Sequence, residues 1–251
     1  MDSFHALLAL HYLLYIVFTS IFKKKDRTNA ENYCPVSILL NLSKVCKRCT
    51  YIQIYENLNK ILSKWQCGFR QGHSSQHCLL VMAEKWRQCL DNGGVSGALL
   101  TDLSKAFDCI LHDHLIAKLA AYGFDYNSLQ MLQSYLWNRK QRTKINDAYS
   151  KYCEILFGVL QGSILGPLLF NFYICDMFYD IDDCDIASYA DDNTPYASSS
   201  NLDALINKLE ENTNNLFQWF RNNHMKANAN KCHLLVTGNY EVSANIKKKN
   251  Y

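Results

Sequence analysis

Asp185-Ile-Ala-Ser-Tyr-Ala-Asp-Asp-Asn-Thr-Pro-Tyr-Ala197 reads as two short strand-like pieces that meet at Asp191 and Asp192, a hairpin presenting two carboxylates at its tip. Downstream, Asn201 to Phe220 keeps apolar residues (Leu202, Leu205, Ile206, Leu209, Leu216, Phe217, Phe220) at a period of about 3.6, which predicts an amphipathic helix. Lys231 to Thr237 closes as a strand. Upstream lies an apolar helix over Pro167 to Phe178, with proline near its first turn and a glycine-bearing loop, Gly158 to Gly166, before it. Further back come helices over His114–Tyr122 and Tyr126–Trp137, and a buried strand over Val95–Leu103 with Asp102 at its carboxyl end. Helices over Cys78–Leu90 and Ser43–Leu62 and a polar turn over Gly68–Ser75 precede that strand. This order predicts an α+β fold in which helices cover one face of an antiparallel sheet. With three prolines and no repeat, no linker is visible, and one compact unit is expected.

The bulk properties narrow the function classes. Apolar residues make up 49% of 251, ample for a core and inconsistent with disorder throughout. A net charge of +3, from 26 basic and 23 acidic side chains, is far from that of a strongly cationic binder, so any nucleic-acid contact must be a local patch. Eleven scattered cysteines, odd in number, read as reduced apolar residues of an intracellular protein rather than a disulfide framework. Cys46 and Cys49 with His73 and His77 imitate a zinc finger, but the gap between the pairs is too long for one. Ala6 to Phe22 is apolar at the short limit of a membrane span; Asp2 before it and Lys23, Lys24 and Lys25 after it do not fit a signal peptide. A buried or non-native start is the preferred reading, with a membrane anchor through residues 6–22 as its rival.

Asp102, Asp191 and Asp192 are the candidate chemistry. At about 4 Å, like charges repel by a few kcal/mol per pair in an effective dielectric near 20, so three carboxylates brought together call for a cation. An oxygen-only set suits Mg²⁺, which keeps positions for water and phosphate oxygens. The bland alternative is that all three are ordinary turn and strand-end residues. Trp137, Arg139, Lys140, Arg142 and Lys144 form a basic strip beside aromatic residues, suited to a phosphate backbone or else simply a solvated loop. The acidic run Asp180, Asp182, Asp183 and Asp185 reads as a solvated connection.

Thr101-Asp-Leu-Ser-Lys-Ala-Phe-Asp108, Gly158-Val-Leu-Gln-Gly-Ser-Ile-Leu-Gly-Pro167 and Tyr189-Ala-Asp-Asp192 resemble three ordered motifs of reverse transcriptases from non-LTR, LINE-type retrotransposons. Asn32-Tyr-Cys-Pro-Val-Ser37, Gln66-Cys-Gly-Phe-Arg-Gln-Gly-His-Ser74 and Asn230-Lys231 fit the same family in the same order. The resemblance implies right-hand polymerase fingers and palm over residues 21–240, an antiparallel palm sheet backed by helices, and a missing or truncated thumb. Residues 1–20 lie outside it as a hydrophobic extension, and 241–251 form a basic tail. It further implies RNA-directed DNA polymerisation by two Mg²⁺ ions, with Mn²⁺ as substitute, on Asp102, Asp191 and Asp192. The partners would be an RNA template, a DNA primer and deoxynucleoside triphosphates. Arg70 would grip the triphosphate, Phe107 would exclude a ribose 2′-hydroxyl, Gln161 and Gly162 would contact the nucleotide, and Lys231 would act as general acid to pyrophosphate. Two positions depart from the family pattern: Cys34 stands where arginine is usual and Leu160 where proline is usual. The length leaves no room for the endonuclease and downstream segments of such elements, so the chain reads as a fragment. The alternative function is a non-catalytic, palm-shaped RNA-binding relic.

Overall fold

The structure, a computed structural model, describes residues 15–22, 26, 28, 32–38, 41–181 and 184–238. In chain order its elements are β1 (Tyr15–Phe22), β2 (Tyr33–Ile38), α1 (Asn41–Ile61), α2 (Ser75–Asp91), β3 (Val95–Asp102), α3 (His112–Ala121), α4 (Tyr126–Leu136), β4 (Arg139–Ile145), β5 (Ala148–Tyr149), β6 (Cys153–Ile155), α5 (Leu165–Tyr173), β7 (Asp185–Tyr189), β8 (Asp192–Ser199), α6 (Leu202–Asn222) and β9 (His233–Thr237). They divide into two compact units, Ile61–Ala106 with Ile174–Tyr251 and Met1–Lys60 with Phe107–Tyr173. The expected single unit is thereby corrected. The chain changes unit at Lys60, inside α1, at Ala106, inside a short 3-10 turn, and just after α5, so no proline- or glycine-rich linker marks the division.

In the 61–106/174–251 unit the sheet order is β7-β8-β3-β9, antiparallel throughout. Helix α6 begins where the Asn201 side chain accepts a hydrogen bond from the Ala204 amide at 2.9 Å, satisfying one of the helix's open donors. Its Leu205 and Leu209 pack with Val95 of β3 and Ala197 of β8 in one buried cluster. Gly97 permits that approach, because a Cβ there would lie 3.1 Å from Leu209 and 3.2 Å from Leu205. The predicted antiparallel sheet backed by helices is what forms here, with boundaries within a few residues of expectation. Lys231 is the exception: it sits in a 3-10 turn, Ala229–Lys231, ahead of β9 rather than within the strand.

The other unit holds a second sheet that the sequence reading missed, in the order β2-β1-β4-β5 with β6 also paired to β4. β1 runs parallel to β4 and antiparallel to β2. The apolar Tyr15–Phe22 stretch is thus a strand with partners on both sides; residues 6–14, the rest of the candidate membrane segment, lie outside the described residues. Among the described residues no helix is long and apolar enough to cross a membrane. The strip at 139–144 is strand, not loop. Helices α3, α4 and α5 supply most of this unit's fully buried apolar residues, among them Leu115, Leu119, Leu132, Phe170 and Phe172, and Leu58 of α1 and Ile110 join them. The helix expected to run to Phe178 ends at Tyr173, whose carbonyl accepts a 2.8 Å hydrogen bond from Lys118 Nζ, and Cys175–Asp180 continues as a 3-10 turn.

Candidate active site

β3 and β8 are in register at the acidic positions: Asp102 is the cross-strand partner of Asp192, which is also paired with Tyr189 across the β7–β8 hairpin. Directly opposite residues of an antiparallel pair project to the same face of a sheet, so Asp102 and Asp192 share one face. Between Tyr189 and Asp192 the hairpin turns on only two residues, Ala190 and Asp191, and Ala190 has φ +59. A positive φ at the first of two loop residues is what a tight primed turn requires, and it usually falls to glycine. A buried alanine holding it is local strain of the kind found at functional turns.

Backbone from the segment before α2 holds this turn. Cys67 N donates to Ser188 O at 2.8 Å, and Ser188 N donates to Trp65 O at 3.1 Å, adding Trp65–Cys67 alongside β7. Gly68 then lies so close to the turn that a Cβ on it would stand 2.2 Å from the Ala190 nitrogen. Beneath, fully buried Asn193 donates from Nδ2 to Asp191 O at 3.3 Å, while its own carbonyl accepts from Thr101 Oγ1 at 2.5 Å. From the far side, Asn228 donates its amide to Asp102 O at 2.8 Å and its Nδ2 to Asp102 Oδ2 at 3.4 Å. Asn193 and Asn228, which brace the candidate site, were missed by the sequence reading. The first was marked only by its place beside Asp192, the second by nothing local.

The charges of the neighbouring carboxylates are felt at Asp192. Partial burial, then the charges of Asp191 and Asp102, raise the Asp192 carboxyl above its ordinary value. Lys231 Nζ sits 2.8 Å from Asp102 Oδ2, and that hydrogen bond, with the fields of all three aspartates, raises the ammonium's pKa. One cation against three anions leaves an excess of negative charge, and an all-carboxylate donor set with one exposed member suits a hydrated divalent ion. With the side chains as they stand, no group of three acidic, histidine or cysteine residues closes around a metal position among the described residues. The fit therefore lies in donor chemistry and charge; Lys231 must yield Asp102 Oδ2 for that oxygen to ligate.

Other expected residues of this unit are engaged structurally. Arg70 Nη1 donates to Ser63 O at 2.5 Å and Gln66 O at 3.0 Å, so the guanidinium braces its own turn. Asp185 begins β7 in an ion pair with Lys85, a structural contact for one member of the run expected to be solvated; Asp182 and Asp183 lie outside the described residues. His73 and His77 meet edge to face, without a metal cluster among the described residues.

In the other unit, Phe107 is half-buried with its ring stacked on Phe170 at 4.7 Å. Gln161 Nε2 donates to Asp108 Oδ1 at 3.3 Å. Gly158, at φ +88, lets the loop lie against Asp108, where a Cβ would come within 2.9 Å of Cα, and Val159 N donates to Phe107 O at 2.9 Å. Gly162, exposed with φ +91, ends that loop in backbone that only glycine adopts readily.

A family model described as reverse transcriptase (RNA-dependent DNA polymerase) matches residues 22–249. The chain is 31% identical over 216 residues to a probable RNA-directed DNA polymerase from transposon BS of Drosophila melanogaster, covering 82% of this chain and 24% of that one. It is 29% identical over 217 residues to the RNA-directed DNA polymerase from mobile element jockey of the same species, covering 83% and 24%. It thus spans about a quarter of the length of these relatives. Among solved structures, an apo telomerase from Candida tropicalis, truncated from its C-terminal domain, is similar at TM-score 0.63 and 14% identity over 90% of this chain and 51% of that one, a likeness of fold alone.

Proposed function

Because the chain belongs to the reverse transcriptase (RNA-dependent DNA polymerase) family, of the non-LTR retrotransposon type, we propose that it carries the catalytic part of an RNA-directed DNA polymerase, with Asp102, Asp191 and Asp192 as the ligands of two Mg²⁺ ions. The observation that carries this reading is the cross-strand register of Asp102 with Asp192 beside a two-residue turn holding Asp191. When bound, such ions activate a primer 3′-hydroxyl and stabilise the leaving pyrophosphate; Mn²⁺ has the same oxygen preference and would substitute.

The chain's own residues orient that chemistry. Asn228 and Asn193 fix the backbone of the strands that present Asp102 and Asp191. Lys231 holds Asp102 in an ion pair before a cation arrives. An ammonium whose pKa is raised is a weak acid at neutral pH, so proton donation to pyrophosphate by Lys231 requires it to leave Asp102 first. Arg70 contacts the triphosphate after releasing the turn carbonyls, with a planar fork suited to two phosphate oxygens. Phe107, backed by Phe170, supplies a rigid ring to exclude a 2′-hydroxyl and favour deoxynucleotides. Gln161, braced by Asp108, and Gly162 contact the incoming nucleotide.

Primer extension on an RNA template with Mg²⁺ and deoxynucleoside triphosphates tests the reading. Asp191→Asn should lower incorporation by more than about 100-fold, beyond the roughly 10–100-fold lost when only an outer partner of a metal ligand is removed. RNA binding by a wild-type chain that incorporates nothing would instead establish a non-catalytic relic.

A further inference from the structure

The period-two geometry of β4 separates its cations onto two faces. Arg139, Gln141 and Thr143 lie on the side of Ile16 and Phe18 of β1, and Arg139 is only 5% exposed. Lys140, Arg142 and Lys144 project from the opposite face. Alternate residues of a strand are about 6.6–6.8 Å apart. That repeat is close to the separation of successive phosphates along a polynucleotide strand. We propose that this face of the Arg139–Ile155 hairpin is a track for single-stranded nucleic acid, with Lys140, Arg142 and Lys144 on consecutive phosphates and Tyr149 and Tyr152 as base-stacking platforms.

The aromatic residues are built into the row. Tyr149 is the cross-strand partner of Lys144. The Arg142 guanidinium carbon lies 4.1 Å from the ring centroid of Tyr149 and 4.8 Å from that of Tyr152, and Lys144 Nζ lies 5.5 Å from the Tyr149 centroid. This holds Arg142 pre-ordered, while its Nε is buried without a hydrogen-bond partner. Tyr149 and Tyr152 remain 48% and 41% exposed, which leaves ring surface for bases. The acidic residues near the row are Glu154, opposite Lys140, and Asp147 in the turn; with Lys151 the hairpin's exposed side is net positive. Exposed aromatics beside a regular row of cations favour a single strand, whose bases can reach a ring, over a duplex, whose bases are already stacked. The track rests on the polymerase reading only for the strand's identity as template.

The test is fluorescence anisotropy of the full chain with a labelled oligouridylate of about 20 nucleotides, without Mg²⁺ or nucleotides. The triple variant Lys140→Gln, Arg142→Gln, Lys144→Gln should weaken binding about tenfold near 100 mM salt and flatten the log–log salt slope by about 2, the release expected for three phosphate contacts. Tyr149→Ala with Tyr152→Ala should weaken binding about tenfold at an unchanged slope. Should either variant misfold, acetylation of Lys140 and Lys144 in the wild-type chain decides the matter, because bound oligouridylate should protect both. An unchanged affinity and slope in a folded triple variant, absence of protection, or equal binding of duplex RNA that is indifferent to the tyrosines would overturn the proposal. Asp191→Asn should retain the track while losing extension, whereas a wild-type chain that binds oligouridylate without extending a primer contradicts the polymerase reading alone. A chain that extends with unaltered affinity in the triple variant contradicts the track alone.

Discussion

The two hairpins to which the proposals assign metal and nucleic-acid binding are held in opposite ways. The acidic one, β7–β8, is clamped: Trp65–Gly68 lies along it, Asn193 is buried under it, β3 and α6 pack against it, and its two-residue turn stores strain at Ala190. The basic one, β4–β5–β6, is anchored at Arg139 and Ile155 but exposed from Ile145 to Glu154. Carboxylates that must share a cation need positions fixed to a fraction of an ångström. Contacts to a flexible phosphate chain do not, and an exposed ribbon suffices for them.

The sharpest way to break this contrast is to loosen the clamp. Gly68→Ala places a methyl group where the Ala190 nitrogen stands, and the turn must move. Primer extension should fall by about 100-fold, as it does when reacting groups are displaced by about 1 Å, and stability should drop by about 1–3 kcal/mol in denaturant titration. Unimpaired extension would mean the turn has room to adapt.

Beneath the basic hairpin, the expectation has the opposite sign. Lys47 of α1 is 2% exposed and stands 5.6 Å from the centroid of Tyr135, whose ring also stacks under Arg139 at 4.0 Å. Burial first, then Arg139, lower its pKa to about 7 from an ordinary 10.5. The unfolded chain therefore binds more protons than the folded one between those values, and stability should rise with pH from about 7 to 10.5 and level off on either side. Lys47→Met should abolish that slope and add about 1–4 kcal/mol near pH 7, as removal of a buried charge often does. A wild-type chain with no stability gain over that range would contradict the assignment.

Smaller effects mark the edges of the clamp. Asn201→Ala removes the cap of α6 and should cost about 1 kcal/mol in denaturant titration without altering nucleotide affinity. Lys231→Gln removes a competitor for Asp102. It should lower the Mn²⁺ concentration at half-saturation by a few-fold, an effect kept small by the lysine's exposure.

The acidic hairpin was legible because its signals are local. Alternating residues flank a short turn, Asp102 ends an apolar run, and α6 keeps a helical beat with Asn201 at its start. The sheet of the other unit was not legible, for two physical reasons. β4 is Arg-Lys-Gln-Arg-Thr-Lys-Ile, poor in residues that favour strands, and it owes its conformation to β1 and β6 on either side. β1, apolar but for Thr19 and Ser20, is held as a strand by β2 and β4 on either side, and its sequence has no alternation by which to announce itself. The roles of Arg70 and Lys231 came from motif position, and motif position could not foresee that one would brace its own turn and the other would sit on Asp102. Gly68 was visible only as a turn residue; its closeness to Ala190, more than a hundred positions away, is purely tertiary.

The central claim is that Asp102, Asp191 and Asp192 form one cation site. Mn²⁺ titration of the full chain, followed by electron paramagnetic resonance, tests it most directly. Saturable binding that is weakened by more than about tenfold in both Asp102→Asn and Asp191→Asn is the expected result. Binding that neither substitution alters, or that only one of them does, would show that the two strands do not share an ion.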